Sequence, residues 1–160
     1  MASILLALDG QPHTDEAVRW ALDLALGLRM TLNPVHIRDP YLKQFYTEIY
    51  AQGREEYLEH VQRCLEEQAE MTRASFESTV NEVLEGRLGA KRPNWTFDVL
   101  DGDPAQQLMA HIKRGKHSMV VLGRRRRTRF AALRSRDLAE RLSAVGCSVP
   151  ILVVPEQARD

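Results

Sequence analysis

Five arginines stand close together in the C-terminal half of the chain, directly after an apolar segment and Gly123. They are Arg124, Arg125, Arg126, Arg127 and Arg129. A guanidinium group presents several N–H donors in one plane and binds phosphate or carboxylate oxygens in pairs. The cluster is therefore a candidate anion-binding site made by side chains. The favoured interpretation is a solvated loop whose charges pair with the acidic helix or with a second copy of the chain.

The formal net charge of the 160 residues is zero, from 22 basic and 22 acidic side chains, but the charges are separated along the chain. Residues 111–141 hold 11 Lys and Arg against 2 acids, whereas residues 42–88 hold 10 acids against 5 bases. We expect an anion to approach the basic region. A nucleic-acid partner is not favoured, because Phe130 is the one aromatic residue available to stack on bases there.

An acid and a histidine near the N-terminus, Asp9 and His13, are residue types that a hydrolase would use. No nucleophile with an orienting third group accompanies them, so catalysis is not favoured. The remaining histidines and the two cysteines, Cys64 and Cys147, lack the spacing of metal ligands, so no metal site is predicted. Both cysteines are expected to be packing residues. Four histidines are expected to be structural or surface residues: His36, His60, His111 and His117.

The elements that must position these residues alternate between strand and helix. Apolar runs predict strands at Ser3–Leu8, Thr31–Ile37, Trp95–Leu100, Met119–Leu122 and Val149–Val154. Pro34 cannot donate to a ladder, which predicts a weak or edge-like start for the second strand. Helix starts are predicted at Thr14, at Asp103-Pro104 and at Asp137, where Glu140 completes a capping box. The polar, helical stretch Tyr41–Leu88 is either one long helix or two.

Strands separated by helices imply right-handed crossovers and a parallel sheet with helices on both faces, in a single domain over residues 1–160. Ligands of such sheets bind beyond the carboxyl ends of the strands, which directs attention to the loops after Leu8, Ile37 and Leu122. No apolar run is long enough for a membrane span, and MASILLALDG is interpreted as a strand, not a signal peptide. With two cysteines and no disulfide framework, a reducing cytoplasm is the simplest compartment.

Six segments, in order, resemble the universal stress protein family: Ile4–Gly10, Val35-His36-Ile37, Gly102-Asp103-Pro104-Ala105, Val120–Gly123, Leu138–Arg141 and Cys147–Pro155. The resemblance implies a doubly wound α/β domain with five parallel strands in the order 3-2-1-4-5, usually a homodimer, that acts in stress physiology. It also implies that the last strand, with Val149, Ile151 and Val153, is an edge that meets its own copy across a two-fold axis.

One branch of the family binds ATP through a loop G-x2-G-x9-G-[S/T], and another branch lacks that loop. Counting from Gly123, the later glycine positions hold Arg126 and Arg136, and the hydroxyl position holds Asp137. Arginine adds bulk where phosphate oxygens would lie, and a left-handed backbone costs a non-glycine residue roughly 1–2 kcal/mol. A carboxylate 4 Å from a phosphate charge adds roughly 1 kcal/mol of repulsion in water and roughly 4 at a partly screened site.

We therefore expect no cofactor and no ordinary ATP binding, although Asp9 and Ile37 still outline an adenosine-shaped pocket. The favoured function is a regulatory or protective binding protein, homodimeric, with protein partners that the sequence does not name. One alternative is a nucleotide sensor in which Arg126, Arg136 and their neighbours replace the glycine loop. A second alternative is a slow nucleotidase in which Asp9 positions a metal or a water.

Overall fold

A computed structural model describes residues 2–8, 15–38, 55–87, 89, 91–124 and 138–156. Five strands and four helices alternate along these segments. In chain order they are β1 (Ser3–Leu8), α1 (Asp15–Leu28), β2 (Thr31–Arg38), α2 (Glu55–Glu85), β3 (Asp98–Asp101), α3 (Pro104–Arg114), β4 (His117–Arg124), α4 (Leu138–Ala144) and β5 (Ile151–Pro155). Among the described residues, no helix is long and apolar enough to cross a membrane.

The five strands form one sheet in the order β3-β2-β1-β4-β5, with every neighbouring pair parallel, which confirms the predicted α/β fold. Successive residues of the central strand β1 point to opposite faces. Ile4, Leu6 and Leu8 pack with α1 and α2, whereas Leu5 and Ala7 pack with α3 and α4. The order of the strands therefore reverses between β1 and β4, and the helices change face at the same place.

Each helix buries a stripe of apolar side chains at helical spacing. The stripe of α1 is Ala17, Val18, Ala21, Leu22 and Ala25. Helix α2 is a single helix of 31 residues over the part of Tyr41–Leu88 that the structure describes. Phe76 of α2 is buried and meets Trp95 edge-to-face, at 5.7 Å between ring centroids. The expectation that Cys64 packs is wrong, because its side chain is exposed beside His60.

Pro34 was predicted to give the second strand a weak or edge-like start. The strand lies in the interior of the sheet, so it is not an edge, but its start is weakly paired because the β2–β3 pairing is interrupted beside Pro34. The Leu32 amide donates to the Asn94 carbonyl, and the Thr96 amide donates to the Leu32 carbonyl, which makes an isolated bridge between Leu32 and Trp95. The regular pairing of β3 starts only at Asp98, three residues later than the predicted strand. In a parallel ladder the next donor to β3 would be residue 34, and proline has no N–H to give.

The side chain of Asn33 supplies the missing donor. Its Nδ2 donates to the Thr96 carbonyl at 2.6 Å, the acceptor that an amide at position 34 would otherwise use. The same Nδ2 lies 2.9 Å from Asp98 Oδ2, and Asn33 Oδ1 accepts from His111 Nε2 at 2.6 Å. Asn33 is 8% exposed, so each of these polar groups is paired largely away from water. The asparagine thus joins β2, β3 and α3 at the amino end of the sheet.

Two histidines extend this polar cluster to β1 and β4. The rings of His111 and His117 stack with 5.3 Å between centroids, and Ser3 Oγ lies 2.8 Å from His117 Nδ1. Burial lowers the pKa of both histidines, while the Asp98 carboxylate opposes that shift. Both rings are therefore neutral at pH 7 and act as hydrogen-bond partners. This agrees with the expectation of structural histidines.

We expect Asn33→Ala to lower the free energy of unfolding by about 1–3 kcal/mol, because it leaves the Thr96 carbonyl without a donor. Urea denaturation gives the value, and Asn81→Ala on the exposed face of α2 is the matched control. Pro34→Val restores a backbone N–H at this point. It should therefore be more favourable in the Asn33→Ala background than in the native one. Equal effects in both backgrounds would show that the asparagine does not replace the amide.

Candidate functional site

The carboxyl ends of β1, β2 and β4 meet at the place where the strand order reverses. Leu8 is paired with His36 of β2, and Ala7 is paired with Leu122 of β4. The next residue of each strand beside β1, Ile37 in β2 and Gly123 in β4, therefore flanks the point where the chain leaves β1. This is the position at which doubly wound sheets bind their ligands. Two of the predicted nucleotide-site residues are thus brought to the same edge.

Ile37 and Gly123 are both partly buried at this edge. Ile37 is paired with Leu100 of β3 and packs against the core beneath α3 and α4. Gly123 is paired with Val154 of β5. An isoleucine side chain offers an apolar wall, and a glycine lets another group approach the backbone closely. The edge therefore offers contact surface for a flat, apolar group.

Most of the other predicted site residues lie outside the part of the chain that the structure describes: Asp9, Arg125, Arg126, Arg127, Arg129, Arg136 and Asp137. Their roles stay predictions. Arg124 is described and is the last residue of β4, beyond the predicted strand end at Leu122. Its side chain is exposed, and its carbonyl accepts from the Glu156 amide at 3.0 Å. Arg124 is therefore a strand residue, so the arginine cluster begins inside the sheet.

His36 joins the ends of β1 and β2 beneath this edge. It is 2% exposed, and its Nδ1 lies 3.1 Å from the Leu8 carbonyl oxygen. A carbonyl oxygen only accepts, so Nδ1 carries the proton and donates. His36 thus has a structural role, consistent with the sequence-based expectation.

The turn from β3 into α3 contains Gly102. Its positive φ and the Gln107 side chain beside it favour glycine at this position. The Gly102 amide donates to the Arg38 carbonyl at 3.1 Å, with φ at 139°. A Cβ at this position would lie 2.7 Å from Nε2 and 2.9 Å from Cγ of Gln107. Arg38 also contacts Asp101 through two nitrogens, at 2.6 and 2.8 Å. These contacts fix where the next residue, Asp103, lies.

Asp103 links the start of α3 to α4. Its Oδ2 accepts from the Gln106 amide at 3.1 Å, with Pro104 at the first helical position, so the predicted cap is confirmed. Both carboxylate oxygens also accept from Nη2 of Arg141, at 2.7 and 2.8 Å. The Arg141 guanidinium, together with the Gln106 amide, holds the pKa of Asp103 below its usual range, against the opposing effect of burial.

The contact between Asp103 and Arg141 was missed from the sequence. The two residues are 38 positions apart, and no local pattern connects them. Each does fall within a segment of the family resemblance, which was the one available signal. Among the described residues, no group of three or more His, Cys, Asp and Glu side chains could hold a metal ion.

Comparison with known proteins tests the family and the fold that the sequence resemblance implied. Residues 1–155 match the model of the universal stress protein family. The chain belongs to this family. It is 26% identical over 160 residues to the stress response protein NhaX of Bacillus subtilis strain 168, with 94% of this chain and 96% of that protein covered.

Solved structures of universal stress proteins share the fold at low sequence identity. UspA of Lactobacillus plantarum superposes with a TM-score of 0.69 at 13% identity, covering 96% of this chain and 97% of that one. A universal stress protein in complex with cAMP gives a TM-score of 0.59 at 14% identity, with 98% of both chains covered. The resemblance drawn from the six sequence segments is therefore confirmed for family and fold.

We expect Asp103→Ala to lower the free energy of unfolding by about 1–2 kcal/mol, because α3 loses its cap and Arg141 loses its partner. Asp103→Ser keeps a capping oxygen without the charge, so its effect should be smaller. Asp101→Ala removes an exposed ion pair but leaves the cap of α3 intact. It should change the free energy of unfolding by about 0–1 kcal/mol. Urea denaturation of the three variants tests this order. Equal losses for Ala and Ser at position 103 would contradict the capping role.

Proposed function

We propose that this universal stress protein is a regulatory or protective binding protein that does not hold ATP in a glycine loop. The observation that carries the proposal is the replacement of three of the four loop positions. Arg126 and Arg136 stand where the family's ATP-binding branch has glycine, and Asp137 stands where that branch has Ser or Thr. Gly123, at the end of β4, is the one position that matches.

These replacements act on the binding of the ATP phosphates. In a glycine loop, backbone N–H groups approach phosphate oxygens because no side chains intervene. Asp137 directly precedes Leu138, the first residue of α4, so its carboxylate competes with phosphate for the free amides of the first turn. Repulsion of roughly 1–4 kcal/mol corresponds to about tenfold to a thousandfold in affinity. The adenosine end of the site, with Ile37, is not altered by these changes.

A nucleotide sensor that uses arginine side chains is the second candidate. It is supported by the excess of basic residues around the loop and by the cAMP complex of a protein with this fold. Guanidinium groups bind phosphate oxygens without glycines. A slow nucleotidase is a third candidate, and it predicts phosphate release that disappears in Asp9→Asn.

We expect isothermal titration calorimetry of the native protein with ATP to show no binding at micromolar concentrations. The variant Arg126→Gly/Arg136→Gly/Asp137→Ser should gain ATP affinity by about tenfold or more. Arg125→Gly/Arg127→Gly removes two positive charges from the same segment without touching the loop positions, and should gain nothing. Micromolar binding of ATP or AMP by the native protein, lost when Arg126 and Arg136 become Ala, would overturn this proposal in favour of the sensor.

We also propose that the protein acts as a cytoplasmic homodimer joined along β5. Cys64 and Cys147 are free thiols, as a reducing compartment allows. Strand β5 lies at one edge of the sheet, where the Val120 amide donates to the Pro150 carbonyl and the Glu156 amide to the Arg124 carbonyl.

The alternation of a parallel ladder then determines which backbone groups of β5 are available. Residues 150, 152, 154 and 156 direct their backbone groups to β4, so those of Ile151 and Val153 face the open edge. An unpaired edge of this kind is a template for a second strand. The side chains of Val149, Ile151 and Val153 pack partly against the core beneath α3 and α4, so we propose that the interface relies first on the β5 backbone.

We expect Val153→Pro to convert the dimer into a folded monomer, because it removes a donor from the open edge and none from the ladder with β4. Val154→Pro is the matched control. Its amide faces β4 and its side chain is 3% exposed, so this variant should lose stability instead. Sedimentation velocity reports the assembly and circular dichroism the fold. A native protein that is monomeric, or a Val153→Pro variant that dimerises like the native one, contradicts the β5 interface.

A further inference from the structure

A cleft lies between α3 and α4, on the face of the sheet that these two helices cover. Its volume is about 640 Å³, within the range of small-molecule sites. Seven residues line it: Ala105, Gln106, Met109, Lys113, Arg141, Ala144 and Val145. Ile37, Gly123 and Arg124, the described residues at the edge of the sheet, are not among the described residues of its lining.

The cleft arises from the way the two helices pack. Leu108 and Ile112 of α3 and Leu142 of α4 turn inward to the sheet and are buried. The neighbouring positions then face each other across the gap between the helices. Two of these, Ala105 and Ala144, are small, which leaves the gap unfilled. The floor and walls are therefore mostly apolar, with the flexible thioether of Met109 able to adapt to a ligand.

The charged groups among the described lining residues of the cleft are both cationic, Lys113 and Arg141, and Gln106 adds a neutral amide. Arg141 is held by Asp103 through Nη2 alone, so this pair fixes the guanidinium without using Nε or Nη1. Lys113 lies in the last turn of α3 and has no acidic partner among the described residues. Among the described residues, no acidic side chain lines the cleft, and helix α3 itself contains no Asp or Glu. Because Asp103 neutralises Arg141, the uncompensated positive charge belongs to Lys113.

The dimensions favour a small ligand over a protein partner. Ala105 and Lys113 are eight residues apart on α3, or about 12 Å at 1.5 Å per residue. Helix α4 has only seven residues, so the second wall is two turns long. A stable protein partner buries about 800 Å² on each side, which is more than two turns of a groove provide. Val145, 60% exposed at the open end, is an apolar surface that a ligand would cover.

We propose that this cleft binds an amphipathic organic anion, with its apolar body against Met109, Ala144 and Val145 and its carboxylate or sulfonate beside Lys113. The apolar lining provides the affinity, because covering it removes apolar surface from water. The lysine provides the selection for negative charge. The proposal uses none of the positions of the nucleotide loop, so the ATP titration and the titration of this cleft test different residues.

Titration of the full-length protein with octanoate, followed by NMR, tests the proposal. Octyltrimethylammonium and octyl glucoside carry the same chain with a positive or a neutral head group. We expect octanoate to bind about tenfold more tightly than the cation, with shifts confined to α3 and α4. Equal affinity for the three probes, or shifts centred on another surface, overturns the proposal.

Two pairs of variants locate the site. Lys113→Gln should remove the preference for octanoate over octyl glucoside, whereas Lys116→Gln, an exposed lysine outside the cleft, should keep it. Val145→Glu should weaken octanoate binding about tenfold or more, while Met71→Glu makes a comparable change at a 72%-exposed site on α2 and should have no effect. If either cleft variant behaves like its control, the cleft is not the binding site.

Discussion

Strand β1 is paired on both edges and covered on both faces, and the positions of the other elements follow from this constraint. Its residues from Ile4 to Leu8 are all buried, so their backbone groups depend on β2 and β4 for hydrogen-bond partners. The chain moves outward through β2 and β3 on one side and through β4 and β5 on the other. Right-handed crossovers then place α1 and α2 on one face and α3 and α4 on the opposite face. The meeting of Ile37 and Gly123 at one edge of the sheet is a consequence of that reversal.

Local patterns in the sequence predicted a parallel α/β sheet, and the family resemblance supplied the strand order 3-2-1-4-5. Local patterns failed where contacts join distant residues. The cap at Asp103 was predictable because its partner amide is three residues away, but Arg141 was not, since tertiary packing alone brings it there. Pro34 predicted a weak or edge-like start for β2, and only the weak start is found, because β2 lies in the interior of the sheet. An edge position is not required, because a side chain from the preceding residue replaces the missing N–H donor. Such a replacement depends on β3 and α3 and leaves no local signal.

The polar cluster around Asn33 and the cap at Asp103 fix opposite ends of α3, the helix that connects β3 to β4. At the amino end of the sheet, Asn33 Oδ1 accepts a hydrogen bond from Nε2 of His111 in the last turn of α3. At the carboxyl end, Asp103 accepts from the first turn. Helix α3 is therefore fixed at both ends by hydrogen bonds, while Leu108 between them is fully buried. Rigid placement of α3 gives the cleft beside it a constant shape.

A net charge of zero conceals a separation of charge between the two faces. Helix α2 contains nine acids and two basic residues, apart from histidine, and it packs on the face with α1. Residues 104–124, which form α3 and β4, contain four basic residues and no acid. The two pairs of helices lie on opposite faces of the sheet, so the acidic helix α2 and the basic residues of α3 are separated by the thickness of the sheet. The charge that a ligand meets on each face is therefore set first by the helices of that face, and α3 contributes Lys113 and Arg114 and no acid.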